Sequence, residues 1–287
     1  MKISILIICN KLRIAKLERL LESMKSQVED YDAEIIILHE SVKKLKKPVL
    51  PLDVKYINIA PDRGIPFNRN QGVKYSKGEI IIFIDDDCWV NKNWLKWLML
   101  PLKNDKNLMA VTSGTKVPKS NLIGDCIAAL GFPGGGSLGF RNVWKVSKDG
   151  YTNHLAVGNC ALRKSVFSVI GQFDETLKSG AEDAELSFRM EKEGILIKYV
   201  PGAYAYHEAR DTLSSFISWQ IRRGKANYQF KKKVGPVSQF VKLRLWSAKN
   251  IIKKKIMDPK FFLILTLLFF SFILQQIGYI YEKLHNE

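Results

Sequence analysis

Three consecutive carboxylates follow a short apolar run in the first third of the chain. Residues 79–87 read Glu-Ile-Ile-Ile-Phe-Ile-Asp-Asp-Asp, so Asp85, Asp86 and Asp87 come directly after the run. Such a run is typical of a strand buried on both faces of a parallel sheet. Ligands of open α/β sheets bind beyond the carboxyl ends of the strands. The pattern therefore predicts a site for a hard divalent ion that also contacts a substrate phosphate, with a solvated acidic turn as the alternative.

A second acidic cluster, Glu182 and Asp183, stands at the start of a segment with helical periodicity. A helix start favours the ionised form of a carboxylate, which makes Asp183 a candidate general base. An ordinary acidic first turn is the alternative. Further along, a strand pattern ends at His207. Most single histidines are structural or solvated, but an imidazole beside metal-binding carboxylates is a candidate additional ligand.

Strand and helix patterns alternate through the part of the chain that carries these residues. Strands are predicted at 3–8, 34–38, 54–59, 80–84 and 108–112, and helices at 12–24, 69–76 and 94–102. This alternation favours a mostly parallel sheet flanked by helices. Five glycines between residues 131 and 139 predict a mobile loop over a bound substrate, with a flexible linker as the alternative.

Composition narrows the class of protein. The chain has 287 residues and a formal net charge of +17, and its four cysteines are far apart in sequence. Their spacing matches neither a zinc site nor a disulfide-rich domain, which favours reduced thiols in the cytosol. The first residues run straight into a strand pattern and lack the features of a cleavable signal. Between residues 222 and 260 there are 13 Lys or Arg and a single acid, Asp258. Such an excess fits nucleic acid or an anionic membrane surface.

The segment that follows favours the membrane. Residues 261–281 are mostly apolar and would form a helix about 31 Å long at ~1.5 Å per residue. The basic segment before it predicts an amphipathic helix on the bilayer surface, with its lysines on the cytoplasmic side. Gln275 and Gln276 interrupt the apolar run, which keeps a buried core helix or an interfacial helix as the alternative. No nucleic-acid-binding motif is present.

The motifs, taken in order, resemble glycosyltransferase family 2, the inverting enzymes with the GT-A fold. The resemblance covers roughly residues 3–210. It is carried by a first strand that ends at Asn10, by Asp62-Arg63-Gly64 with Arg69-Asn70-Gln71-Gly72, by Asp85-Asp86-Asp87, by Gly158-Asn159 with Arg163 and Gly171-Gln172-Phe173-Asp174, by Glu182-Asp183 with Leu186 and Arg189, and by His207. One departure is His39-Glu40-Ser41, where the family usually has Asp-Asp-Gly-Ser. Recognition of the nucleotide base would then fall to Glu40 or change altogether.

The resemblance implies an α/β chain with the GT-A (nucleotide-diphospho-sugar transferase) fold and a mostly parallel central sheet flanked by helices. To this the composition of the last third adds C-terminal basic amphipathic and transmembrane helices. The expected parts are a glycosyltransferase domain at 1–215, a basic juxtamembrane segment at 216–259, a transmembrane helix at 260–281 and a short tail at 282–287. The catalytic domain is expected on the cytoplasmic side of a single-pass anchor.

The resemblance also assigns roles. Asp183 would be the catalytic base, and Mg²⁺ or Mn²⁺ would be held by Asp85, Asp87 and His207. The residues expected to bind the nucleotide sugar are Asn10, Glu40, Arg69, Asp85, Asp86, Asn159 and Glu182. The implied reaction moves a sugar from a nucleoside diphosphate sugar to a hydroxyl of a glycan, a lipid-linked glycan or another cell-envelope precursor. An anionic membrane surface is a further expected partner, and nucleic acid is not.

Two alternatives belong to other classes. A nucleotidyltransferase that makes the sugar nucleotide would carry a glycine-rich basic loop after the first strand, but Cys9-Asn10-Lys11-Leu12 has no glycine. A non-catalytic membrane scaffold with the same fold would have no need for Asp85, Asp87 and Asp183.

Overall fold

The computed structural model describes residues 1–9, 13–41, 47–61, 63–235 and 238–286, which form strands and helices in alternation. The strands are β1 (Ile3–Cys9), β2 (Ala33–Glu40), β3 (Lys55–Ile59), β4 (Ile80–Asp85), β5 (Cys88–Val90), β6 (Ala110–Thr112), β7 (Thr115–Lys116), β8 (Tyr151–Thr152), β9 (Asn159–Arg163), β10 (Ile197–Tyr199) and β11 (Ala205–His207). The helices are α1 (Ile14–Val28), α2 (Ile65–Tyr75), α3 (Trp94–Asn104), α4 (Leu122–Ala129), α5 (Val166–Ile170), α6 (Glu182–Lys192), α7 (Leu213–Val234), α8 (Ser238–Lys255) and α9 (Phe261–Asn286).

The central sheet has eight strands in the order β3-β2-β1-β4-β9-β6-β10-β8. β1 pairs in parallel with β2 and β4, and β2 in parallel with β3. β9 runs antiparallel to both β4 and β6. The predicted α/β class is confirmed, with a parallel half that carries the first acidic cluster and a mixed half beyond it.

Both faces of this sheet are covered, which explains why its strands are continuous apolar runs. Side chains alternate between the faces of a strand. Ile80, Ile82 and Ile84 pack with α1 and α3 on one face, whereas Ile81 and Phe83 pack with α2, α5 and α6 on the other. A strand buried on both sides has no polar face to solvate.

A second sheet of three strands, β5-β11-β7, starts where β4 ends. β5 begins one residue after Asp87 and pairs antiparallel with β11, which places Cys88 opposite His207. The register of this small sheet, and not sequence proximity, brings His207 to the triple carboxylate.

The C-terminal helices form a third apolar cluster with α4. Phe216 of α7, Ile251 of α8 and Ile264 and Leu267 of α9 are buried in it. α7 and α9 continue side by side and cross closely: a Cβ on Gly224 would lie 2.1 Å from the Gln275 carbonyl oxygen. α9 is the one helix in the described ranges that is long and apolar enough to cross a membrane, yet a third of its apolar window is buried in the protein.

The structure bears on two expectations about the chain, namely the mobile glycine-rich loop and the domain limits. The glycine-rich segment is a compact turn and not an open loop, because a Cβ on Gly135 would lie 2.4 Å from the Phe140 nitrogen and one on Gly136 2.4 Å from the Ala128 oxygen. The domain limits stay a prediction: α7 begins at Leu213, before the expected boundary at 215, and α9 continues through the expected tail to Asn286.

Candidate active site

The triple carboxylate lies at the carboxyl end of β4, in the middle of the sheet. Asp85 is the last residue of β4 and is half-buried. Its carboxylate occupies the space beside Gly158, where a Cβ would lie 2.3 Å from Asp85 Oδ2. Burial raises the pKa of Asp85, and the neighbouring charge of Asp87 raises it further. This acidic edge would be stabilised by a cation.

Asp86 is held by a residue that the sequence patterns did not single out. Arg13, just before α1, donates from Nη2 to Asp86 Oδ1 at 2.5 Å and from Nη1 to Asp87 Oδ2 at 3.5 Å. Burial raises the pKa of Asp86 to about 6, with the charge of Asp87 acting in the same direction. The Asp86 carboxylate is therefore engaged by Arg13, which orients the turn.

Asp87 and His207 form the core of a candidate metal site. Asp87 Oδ1 lies 3.1 Å from His207 Nε2, and His207 Nδ1 lies 2.7 Å from the Glu208 carbonyl oxygen. The carbonyl can only accept, so Nδ1 carries a proton, and Nε2 is the nitrogen directed at Asp87. Burial opposes the charges of this pair, but their mutual attraction outweighs it, which lowers the pKa of Asp87 and raises that of His207.

The chemistry of these donors fits a divalent cation. Asp87, Cys88 and His207 place their ligand atoms within 4.8 Å of one another. Carboxylate oxygen and imidazole nitrogen suit ions such as Mn²⁺, and the Nδ1 contact to a carbonyl is the usual support of a metal-binding histidine. Cys88 is a poor third ligand, because burial raises the pKa of its thiol well above the ordinary value. Asp85 lies outside this group, so the structure brings together Asp87 and His207 of the expected ligands, and the full set of Asp85, Asp87 and His207 stays a prediction.

The second acidic cluster opens α6 at a strained turn. Ala181 has a φ of 67°, the left-handed region that few residues other than glycine adopt. Asp183 accepts a hydrogen bond from the Ala184 nitrogen at 2.7 Å. Burial raises the pKa of Asp183 despite the attraction of Arg69, so the helix start does not dominate its ionisation as the sequence implied. A carboxylate with a raised pKa is a better proton acceptor.

Arg69 joins the two acidic clusters. Its buried guanidinium is ion-paired with Glu182, which is also buried. Burial opposes its charge, but the attraction of Glu182, Asp85 and Asp183 outweighs this and raises the pKa of Arg69. The ion pair therefore positions the start of α6 relative to α2, which carries Arg69, and it satisfies both charges.

The remaining expected nucleotide-sugar contacts have other partners. Asn159 is fully buried: its Oδ1 accepts from Trp94 Nε1 at 2.8 Å, and its Nδ2 donates to the carbonyls of Gly114 and Ala203, each at 2.9 Å. Its amide therefore joins three separate segments of the chain and has no remaining donor for a nucleotide. Glu40 ends β2 and accepts from Asn68 Nδ2 at 3.2 Å. Asn10 lies outside the described residues.

A cavity of about 1150 Å³ opens beside these clusters. Its lining includes Asp85, Asp183 and the Arg69–Glu182 pair, together with Arg223 and other residues of the C-terminal helices. Asp87 and His207 are not part of its lining. Asp85 therefore marks the border between the metal-binding edge of the sheet and the cavity.

Comparison of the sequence with known proteins identifies its family. Residues 5–170, more than half of the chain, match the family described as "Glycosyl transferase family 2". A probable N-acetylgalactosaminyltransferase 7 of Caenorhabditis elegans is 27% identical over 188 residues, which cover 58% of this chain and 31% of that protein. The succinoglycan biosynthesis protein ExoM of Rhizobium meliloti is 27% identical over 185 residues, 62% of this chain and 54% of ExoM.

Solved structures show the same fold at low sequence identity. A mannosyltransferase of Pyrobaculum calidifontis, in complex with GDP-Man and Mn²⁺, has a TM-score of 0.63 and 14% identity over 100% of this chain and 88% of its own. GalNAc-T7 with UDP, GalNAc and Mn²⁺ has a TM-score of 0.53 and 18% identity over 90% of this chain and 57% of its own. The chain spans about a third of the length of the curated relatives that it matches first.

Proposed function

Because this chain belongs to glycosyl transferase family 2, we propose that it transfers a sugar, with inversion, from a nucleoside diphosphate sugar to an acceptor hydroxyl. The observation that carries the proposal is the presence of two separate groups of ionisable side chains, one at the end of β4 and the other in the lining of the cavity. Asp87 and His207 provide ligands at the end of β4, and Asp183 lines the cavity at the start of α6. Asp87 and His207 have the ligand atoms for a cation, and Asp183 has a carboxylate that can accept a proton.

Each group has one task in the reaction. Asp87 and His207, with Asp85 nearby, would hold a divalent cation, which would supply positive charge for the leaving diphosphate. Asp183 accepts the proton of the acceptor hydroxyl while that oxygen forms its bond to the anomeric carbon. The bond from the anomeric carbon to the diphosphate oxygen breaks, and a nucleoside diphosphate leaves. A single displacement from the opposite side inverts the configuration at this carbon.

Donor hydrolysis tests this function. The full chain, with Mn²⁺ or Mg²⁺, should release nucleoside diphosphate from at least one member of a panel of UDP and GDP sugars. Excess chelator should abolish the release, and Asp87→Ala should do the same because it removes an oxygen ligand. Asp30→Ala removes an exposed acid at the end of α1 and serves as the control. Full turnover in excess chelator would refute the metal assignment, and a retained anomeric configuration in the product would refute inversion.

Membrane attachment is the second part of the proposal, and the exposed face of α9 supports it. Phe262, Phe269, Ile277 and Leu284 are between 51% and 80% exposed, although each is a large apolar side chain. The basic residues at the end of α8 lie next to the start of this face in sequence. Apolar side chains beside lysines fit an anionic bilayer surface on the cytoplasmic side.

The packing of α9 favours a helix that lies along the bilayer surface over one that spans it. Gln275 is buried and donates to Gln220 of α7 at 2.6 Å, and Glu282 is buried and accepts from Gln229 of α7 at 2.6 Å. α7 lies beside α9 and carries six Lys or Arg, so it cannot enter the hydrocarbon core at low cost. If α9 spanned the bilayer, either α7 would have to separate from it or the charges of α7 would be buried in the hydrocarbon core.

Cysteine labelling distinguishes the two arrangements. The four native cysteines are buried, so a cysteine introduced at Met257 or at Asn286 would be the reactive one. On sealed vesicles, both positions should react with a membrane-impermeant maleimide from the same side. Reaction from opposite sides would restore the single-pass anchor expected from the sequence.

A further inference from the structure

Two arginines in the cavity have no carboxylate partner. Arg223 of α7 and Arg244 of α8 both line it, and within the described part of the chain no ion pair joins either of them to an acid. Arg223 is instead covered by aromatic rings, with its guanidinium carbon 3.9 Å from the centre of the Phe132 ring and 5.1 Å from that of Trp219. Arg244 donates to the neutral side chains of Gln275 and Asn227.

This arrangement is costly without a ligand. Burial, together with the repulsion of Arg244, lowers the pKa of Arg223 to about 9, and burial lowers that of Arg244. Both side chains are half-buried, and a charge that is partly removed from water is normally paired with an opposite charge. Two adjacent guanidinium groups present planar forks of N–H donors, which match the oxygens of a phosphate. An anion bound between the two guanidinium groups would offset their repulsion and would give each of them a partner of opposite charge.

The two arginines belong to the Asp183 end of the cavity. Asp183 attracts Arg223, whereas Arg210 is attracted by Asp87, at the metal-binding edge. The cavity that contains Arg223 and Arg244 also excludes Asp87 and His207 from its lining. A diphosphate at the metal site would therefore be separate from an anion at Arg223 and Arg244.

The rest of the cavity indicates what is attached to that anion. Its lining has eight Lys or Arg and four Asp or Glu, and one of these acids, Glu182, is already paired with Arg69. Beside Arg244, the helices α8 and α9 contribute an apolar wall that consists of Leu243, Trp246, Ile251, Leu268 and Phe272. α9 is also the helix whose opposite face is exposed and apolar. A ligand that satisfies the wall and the arginines carries a phosphate and an apolar chain.

We propose that Arg223 and Arg244 bind the phosphate or diphosphate of the acceptor, and that the acceptor is a phosphate-bearing amphiphile whose apolar chain lies against α8 and α9. This inference rests on the proposed function, since it names the acceptor class of the same site. It places the acceptor hydroxyl near Asp183 and leaves the donor diphosphate at Asp87 and His207.

The first experiment measures the anion site without catalysis. Inorganic pyrophosphate is titrated into the full chain in excess chelator. Arg223→Gln and Arg244→Gln should each weaken its binding at least tenfold, and Lys231→Gln, which removes an exposed charge from the same helix, should not. Arg223→Gln should also melt no lower than the parent without ligand, because it removes a half-buried charge that has no acidic partner. Equal pyrophosphate affinity in all four proteins would overturn the proposal, whether or not the chain turns over a donor.

The second experiment separates the two sources of phosphate. UDP and GDP are titrated with Mn²⁺ into the same variants, and their affinity should change less than twofold. A tenfold loss in Arg223→Gln would assign the arginines to the donor diphosphate and overturn the acceptor assignment.

The third experiment compares acceptors that differ only in phosphate, namely a decyl glycoside and the corresponding decyl-diphosphate glycoside. Transfer should favour the diphosphate compound, and Arg223→Gln should remove the preference by raising KM for that compound alone. Equal transfer to both compounds would overturn the proposal. Absence of donor turnover in the parent chain would instead refute the proposed function, and the pyrophosphate titration would still decide the anion site.

Discussion

Because α7 and α9 cross closely, we predict that the single substitution Gly224→Ala destabilises the folded chain. A glycine in a helix interior normally gains about 1 kcal/mol of stability when replaced by alanine, because alanine has the higher helix propensity. Here the new Cβ would lie 2.1 Å from the Gln275 carbonyl oxygen and in the path of Gly278, whose Cα would be 2.9 Å away. The obstructing atoms are backbone and cannot rotate away.

The magnitude follows from the separation that the methyl group requires. Contacts below 3.0 Å are not tolerated, so the helices must separate by about 1 Å. Overpacking of this kind costs roughly 1–3 kcal/mol, and weakening the Gln275–Gln220 hydrogen bond costs about 1 kcal/mol more. After the gain in helix propensity, the net loss should be about 1–3 kcal/mol. The melting temperature should then fall by roughly 2–4 °C for each kcal/mol.

Thermal unfolding of the full chain in detergent measures this loss. Ser218→Ala, at an exposed position of the same helix, is the control for propensity and should raise the melting temperature slightly. Gly278→Ala meets the Ile221 carbonyl oxygen at 2.0 Å and should behave like Gly224→Ala. The loss of stability in the double variant should be smaller than the sum of the losses in the two single variants, because both substitutions separate the same pair of helices. A melting temperature that rises in Gly224→Ala would refute the packing of α9 on α7, and with it the argument that α9 cannot span.

The remaining predictions concern the base and the membrane face. Asp183→Asn should reduce glycosyl transfer by roughly two to four orders of magnitude, because it removes the proton acceptor, while the affinity for nucleoside diphosphate stays the same. Near-normal transfer would leave Asp183 only a structural role in the first turn of α6, since the Asn oxygen can also accept from the Ala184 nitrogen. Burial raises the pKa of Asp183 above 3.8, and the base acts when ionised, so transfer should fall as the pH drops through a value above 3.8. The residual activity of Asp183→Asn should not show this fall at low pH. An unchanged fall would mean that another group titrates there. Phe262→Asp with Phe269→Asp should reduce flotation with vesicles of phosphatidylglycerol and phosphatidylcholine, whereas Val49→Asp, at a 94% exposed position remote in sequence from α9, should not. Undiminished flotation of the double variant would exclude this face as the membrane contact.

Local patterns in the sequence determined the strands of the first half and the edge of the sheet where the acidic residues lie. Residues 3–8 and 80–84 are apolar without interruption, and such runs form strands that are buried on both faces. Parallel neighbours end at the same edge, so carboxylates that follow β4 must lie near the ends of β1 and β2. The order of the motifs was enough to indicate the family.

Tertiary structure decided which of these residues have free polar groups. Asn159 and Glu182 belong to motifs of the family, yet Trp94 and Arg69 occupy their polar atoms. The pairing of β5 with β11 selected His207 as the partner of Asp87, with Arg13 held against Asp86. These contacts join residues that are 65 to 120 positions apart, and residue types alone do not specify which long-range pair will form.

The sequence also does not reveal how α9 and the two arginines of the cavity are packed. The composition of residues 261–281 is that of a membrane span, because hydropathy sums over a whole helix and does not record which face is covered. The signals for a packed helix were Gln275 and Gly278, one turn apart and opposite Gly224 of α7. Arg223 and Arg244 belong to a basic segment, and the sequence does not distinguish them from its other charges, because the lack of an acidic partner is visible only once the neighbours are known. Sequence sets what each segment can bury; only the packed chain decides which charges and which faces are left for a ligand or a membrane.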